Sequence, residues 1–363
     1  MTVMETEIRP QKKQRLQWLD ALRGFTMIMV VANHVSGMAF EQPIKASSAL
    51  PFLILFRMPL FFFISGFLAY KANLTWNLRT LGELLLKKVK VQTIPTIVFF
   101  FVAAALLGGG FWRNIVEWVQ LNTKGGYWFT IVLLYMFIIY YVFCYVVEKL
   151  RIKMWLALTL LFLVSMFCYE TCYLPHDFSW ALGRKHQNAF MNTTSFLNLF
   201  IYFPFFLYGN IVRRYWDKWQ RLFDSKWFFP IIVVVVFFAA LDSQMWHTLR
   251  RAWAIVPLTV ARFGLLTIVF LYFRHYQQYF TQLSVMGSTL QYIGRRTLDI
   301  YLIHFLFMPN LPTIGKFLNI YRHNFMLDVT LSVLVALLLI AFCVVASNIL
   351  RISPFFRKWL FGR

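Results

Sequence analysis

Long apolar stretches alternate with short polar connections along the whole chain. Ten such runs, at about 17–40, 50–70, 91–110, 127–147, 154–174, 196–212, 227–243, 252–273, 291–309 and 326–350, each have the roughly 17–25 residues that a helix needs to cross about 30 Å of hydrocarbon. The seventh, FFPIIVVVVFFAAL, is short and carries Pro230 near its start. The connections reach about 20 residues at most, which leaves no room for a soluble catalytic domain between them. The pattern predicts an all-α fold, a polytopic membrane bundle of about ten helices. Residues 1–16 form a basic N-terminal segment, 17–350 the transmembrane domain and 351–363 a basic tail. The first run is too long for a signal-peptide core and lacks a small-residue cleavage pattern, so it is expected to stay as a span. No fixed-period repeat and no low-complexity linker divides the chain.

The informative positions are those that break the apolar runs. In the first, LDALRGFTMIMVVANH, ten residues separate Arg23 from His34. Eleven steps along an α-helix turn through about 1100°, within roughly 20° of three full turns, and rise about 16 Å, so both side chains share one face. An ionisable residue inside a span costs roughly 2.5 kcal/mol or more and is kept mainly where it faces a bundle interior or wet cavity. Two on one face at different depths predict a polar shaft. In the second run, PFLILFRMPLFFFISGFLAY, Arg57 falls about 10 Å below the outer surface, close to the depth of His34. Pro59 and Gly66 there permit a bend and a close helix approach. The ninth run, YIGRRTLDIYLIHFLF, places Thr297, Tyr301 and His304 at i, i+4 and i+7 on one helical face, with Arg296 and Asp299 at the spacing of an ion pair. Arg262 lies near the middle of the eighth run, with His304 and Asp242 as conceivable partners. Asp20 precedes Arg23 by three residues and can pair with it.

Composition agrees with the pattern. Sixty per cent of residues are apolar, 20% aromatic and only 14% charged, against about a quarter charged in soluble domains. The net charge of +22 would suggest nucleic acid for a soluble chain, but its distribution points elsewhere. With ten spans and both termini inside, 24 of the 36 Lys and Arg fall on the inner side and 9 outside, while Arg23, Arg57 and Arg262 lie within spans. This bias predicts cytoplasmic termini, with the basic loops serving topology and anionic-lipid contact. Cys144, Cys168, Cys172 and Cys343 all fall in apolar runs without zinc-type spacing and read as small buried side chains. Nothing predicts a metal, and no phosphate-binding glycine pattern points to ATP or NAD.

Four segments in order, LDALRGFTMIMVVANH, FRMPLFFFISGFLAYK, GGYWFTIVLLY and GRRTLDIYLIHFLF, give the chain its resemblance to the integral-membrane acyltransferase family 3, which includes O-acetyltransferases of surface polysaccharides. The resemblance spans residues about 18 to 310. It maps the family's first-span motif onto Arg23 and His34 and its phenylalanine-rich segment onto Phe61 to Gly66. Related sequences often carry histidine where this one has Arg57. What the resemblance implies is an acyl-coenzyme A donor, most simply acetyl-coenzyme A, entering from the cytoplasm. The acceptor it implies is a hydroxyl of a cell-surface or lipid-linked glycan at the outer face of the cell membrane. Such a transfer needs a base and positive charge near the oxyanion or the donor phosphates. His34 suits the base and arginine suits phosphate, so His34, Arg23 and Arg57 are the candidate catalytic residues. Arg23, Asp20, Arg262, Arg296, Tyr301 and His304 are the candidate donor contacts. Trp112, Trp118, Tyr127 and Trp128 suit sugar stacking or an interfacial aromatic belt equally. A secondary transporter of a sugar or organic acid is the alternative, since intramembrane Arg, His and Asp also line transport paths. The absence of duplicated halves or matched broken helices weighs against it.

Overall fold

In a computed structural model the described residues are 16–43, 47, 49–72, 74–172, 189–245, 255–321 and 324–361. The basic positions Arg9, Lys12, Lys13 and Arg15 lie outside them, as does the side chain of Asp242. Among the described residues there is no strand. The central helices are α1 (Gln17–His34) and α2 (Ala49–Ala69), followed by α3 (Leu78–Lys88), α4 (Ile94–Leu106) and the amphipathic α5 (Phe111–Gln120). Next come α6 (Trp128–Lys149), α7 (Met154–Thr171), the short α8 (Ala189–Thr194), α9 (Phe196–Arg214) and α10 (Trp216–Phe223). The chain continues through α11 (Phe228–Met245), α12 (Ile255–His275), α13 (Val285–Arg295) and α14 (Thr297–Ile303). It closes with α15 (Pro312–Ile320), α16 (Phe325–Leu350) and α17 (Pro354–Phe361).

Among the described residues seven helices are long and apolar enough to cross a membrane, with α3 and α4 joined as one, or eight if the α10–α11 pair, bent by 81°, is a single span. Against the count of eight, the ten-span expectation differs at two places. The α1 helix exists as predicted, but Gln17, Asp20, Arg23, Asn33 and His34 keep it out of the apolar set. The expected ninth span is not one helix. It breaks at Arg296 (φ −106°, ψ 12°) into α13 and α14, and α14 ends after seven residues, at Ile303. From there the backbone runs past α1, where Leu311 N donates to Ala39 O at 2.8 Å.

Glycines set the two closest helix crossings. A Cβ at Gly66 would overlap the Phe206 carbonyl, and one at Gly209 the Phe63 carbonyl, so α2 and α9 meet backbone to backbone. Gly24 and Gly294 do the same for α1 and α13. Small residues permit such approach in membranes, where dispersion and packing replace the hydrophobic drive between helices. Rings fill the remaining space: Phe63, Phe67 and Phe270 interlock at centroid distances of 5.0–6.3 Å. The opposite surfaces of α7, α11 and α16 expose Leu160, Phe167, Phe237, Phe238, Leu338 and Phe342, a single-sided apolar face suited to lipid.

The two ends of the bundle are chemically distinct. At the His34 end, Asp328 at the start of α16 accepts hydrogen bonds from Ser47 Oγ (2.7 Å) and Ala49 N (3.0 Å), and Ser47 faces Ser36 at 3.3 Å. At the Arg23 end, Asp299 binds Arg351 through both carboxylate oxygens (2.8 and 2.7 Å), Arg296 (3.1 Å) and Ser347 (2.7 Å). The start of α1 and the end of α16 therefore lie at the same end. That end is also basic: Lys88 lies 3.5 Å from the Phe137 ring centre, Arg214 lies over Tyr70, and Arg274 pairs with Asp224.

Candidate active site

A cavity of about 110 Å³ runs beside α1 through the middle of the bundle. From α1 it is lined by Arg23, Met27, Val30 and His34, positions at i, i+4, i+7 and i+11 that form one stripe of the helix. Across it, α2 contributes Arg57, Phe61 and Ser65, again one face, while Gln92, Trp128, Phe129, Thr297 and Tyr301 close the walls. The polar shaft expected from the helical phase of Arg23 and His34 is thus present, and Arg57 opens onto it. No Asp or Glu is among the lining residues, so two guanidinium groups give the cavity a positive field.

Each lining group is held by local structure. Arg23 Nη2 donates to Thr297 Oγ1 at 3.0 Å, and Nη1 lies 3.8 Å from Asp20, the i,i+3 pairing read from the sequence. Directly after His34 the helix widens into a π-turn over Val35–Ala39, a distortion frequent at functional sites, and the Asp328–Ser47–Ser36 network anchors that turn. Arg57 Nε is buried and has no hydrogen-bond partner among the described residues. The His34 ring packs between two neighbours, His304 with ring centres 5.3 Å apart and Phe305 at 5.1 Å.

The other candidates divide. Tyr301 lines the cavity, but its hydroxyl is committed to the backbone: it donates to Gly126 O (2.8 Å) and accepts from Phe129 N (3.2 Å), fixing the turn that leads into α6. His304 is fully buried behind His34. Arg296 points away, toward Asp299 and Asn348. Arg262 donates to Tyr169 Oη at 3.2 Å, between α12 and α7, rather than lining the cavity. Of the four aromatics, Tyr127 is buried with its hydroxyl on Leu302 O (3.0 Å), and Trp118 packs beneath Gly125. Trp112 is exposed. Trp128 lines the cavity and stacks on Tyr202 at 5.6 Å and 23°. Sequence reasoning passed over Gln92, Thr130 and Tyr202. For Gln92 a signal existed, a lone amide in an apolar run. Among the described residues no three His, Cys, Asp or Glu side chains gather as metal ligands.

A polytopic helical bundle with apolar helices long enough to cross a membrane, enclosing a cavity that bears arginine and histidine, defines the class of integral-membrane helical proteins. Compared with known families, residues 16–350 match the acyltransferase domain of the acyltransferase 3 family, and the chain belongs to that family. It is a membrane acyltransferase. No curated protein and no solved structure matches it.

Proposed function

We propose that this acyltransferase moves a short acyl group, most simply acetyl, from acyl-coenzyme A to a glycan hydroxyl, with His34 as the base. The observation that carries the proposal is that Arg23, His34 and Arg57 line one cavity along a single face of α1. The acceptor hydroxyl loses its proton to His34 as its oxygen attacks the thioester carbonyl. The oxyanion forms beside Arg57, whose charge and unpartnered Nε suit it. The C–S bond then breaks, and the proton held by His34 passes to the departing sulfur.

The donor enters at the Arg23 end, where Lys88 has Arg23, Lys71 and Lys87 as electrostatic neighbours, a basic mouth matched to the phosphates of coenzyme A. Arg23 stands about 16 Å along the helix from His34, a span suited to the extended pantetheine arm. The acceptor reaches His34 from the opposite end, where Trp128 lines the cavity and is available for sugar stacking. The positive-inside charge bias supports cytoplasmic termini, and with them that end faces out of the cell. Purified protein given radiolabelled acetyl-coenzyme A should release coenzyme A and label a glycan or lipid-linked sugar acceptor. Absence of both acyl transfer and slow donor hydrolysis across a panel of such acceptors, in a folded preparation, contradicts the proposal.

A further inference from the structure

We propose that His304 is the positioning residue for His34, accepting one of its ring N–H groups so that the other nitrogen presents a lone pair to the cavity. The inference rests on the reading of His34 as the base.

The partners of His304 fix its tautomer. Its Nδ1 lies 3.0 Å from Ile300 O and 2.8 Å from Tyr301 O. Carbonyl oxygens only accept, so Nδ1 carries the hydrogen, and in the neutral ring Nε2 carries the lone pair. That Nε2 is buried with no hydrogen-bond partner among the described residues, in a side chain with no exposed surface. A buried acceptor left unmatched costs about 1–3 kcal/mol, and such groups in native structures commonly mark a catalytic role or an absent partner.

His34 is the neighbour that can supply the partner. The two ring centres are 5.3 Å apart with planes inclined at 48°. Imidazole nitrogens sit about 1 Å from the ring centre, so turning of the partly accessible His34 ring brings a nitrogen pair to about 3 Å, the range of a hydrogen bond. Phe305, 3.9 Å from the His304 ring and 5.1 Å from that of His34, walls the pair from water. Arg57 cannot replace His304 as the acceptor for the His34 N–H, because guanidinium has donors and no acceptor. Tyr301 and Tyr127 are both committed to backbone groups. The break at Arg296 and the early end of α14 are what bring His304 against α1.

During transfer the pair works as follows. The N–H of His34 that faces His304 stays in place. The opposite nitrogen takes the hydroxyl proton as the C–O bond forms, then returns it to the sulfur as the C–S bond breaks. His304 keeps its own proton throughout and accepts from the imidazolium that His34 transiently becomes.

The test compares His304→Gln with His304→Met, side chains of nearly equal size that differ in having an acceptor. Each is also combined with His34→Ala, and each is followed for acetyl transfer, donor affinity and thermal midpoint. Met should lower kcat at least tenfold with donor Kd within twofold of wild type, Gln should recover most of that loss, and Met should add nothing in the His34→Ala background. Wild-type turnover in the Met variant overturns the inference, as does a loss appearing only in Kd. Equal damage from Gln and Met, or full additivity with His34→Ala, also overturns it, because a structural role predicts both. If His34→Ala itself retains full transfer, the reading of His34 fails instead, and the two failures are distinguishable.

Discussion

Arg23 is the residue whose replacement most directly probes how the donor is held. Its side chain is 28% exposed, with one guanidinium nitrogen on Thr297 and another facing Asp20, so it is aimed at the cavity by two elements. A charge-assisted hydrogen bond to phosphate or pantetheine contributes about 1.5–3 kcal/mol, which is about a 10- to 150-fold change in Kd. Arg23→Ala should weaken coenzyme A binding by that amount. Arg23→Lys keeps the charge and loses the planar fork, so its effect should be smaller, on the order of fivefold. Thr297→Val removes the contact that aims the guanidinium, together with the hydroxyl's 3.4 Å hydrogen bond to Gly294 O, and should cost a few-fold. Calorimetric titration of purified protein with coenzyme A measures all three, with the thermal midpoint showing that α1 and α13 still pack through Gly24 and Gly294. Unchanged affinity in Arg23→Ala would refute the reasoning and leave this arginine a structural partner of Thr297.

Gly66→Val drives a side chain into the Phe206 carbonyl and should cost about 1–3 kcal/mol, lowering the thermal midpoint in detergent. Gly82→Ala, where nothing lies within 4 Å of a new Cβ, should be neutral or stabilising by up to about 1 kcal/mol. Asp299→Asn strips Arg351 and Arg296 of their carboxylate and should destabilise by about 3 kcal/mol, seen as a lower denaturation midpoint with little change in donor affinity. For sidedness, cysteine placed at Thr123 or Asn310 should react with an impermeant thiol reagent added outside cells, and cysteine at Thr75 or Ser225 should not. The reversed pattern would invert the topology and place His34 near the cytoplasm.

The cavity was legible where one helix carries the information. Arg23 and His34 share a face because helical periodicity alone puts them there, and their cost in lipid says which way that face points. Arg57 followed from depth matching between adjacent antiparallel helices. The i,i+3 contacts of Asp20 with Arg23 and of Arg296 with Asp299 were readable for the same local reason. What stayed hidden depends on tertiary placement. The apolar run 291–309 carries no proline at the break near Arg296, and the distortion arises where Arg296 and Asp299 gather Ser347, Asn348 and Arg351 from the end of α16. That break sends Arg296 away from the cavity and carries His304 against His34, an arrangement the even helical face of Thr297, Tyr301 and His304 did not contain. Arg262 looked equivalent to Arg57 in one dimension, yet its helix turns it toward Tyr169. Tyr127 read as a surface ring and is buried, because Gly125 and Gly126 let the chain turn inward there with φ of 60° and 102°.

Proton transfer at His34 is the step on which the proposed reaction depends. Acetyl transfer from radiolabelled acetyl-coenzyme A should be measured in wild-type protein and in His34→Ala, each shown folded by its thermal midpoint and by retained coenzyme A binding at the Arg23 end. The predicted result is a fall in transfer rate of at least about 100-fold, the scale of a positioned general base, with donor affinity preserved. Near-normal transfer in His34→Ala would contradict it.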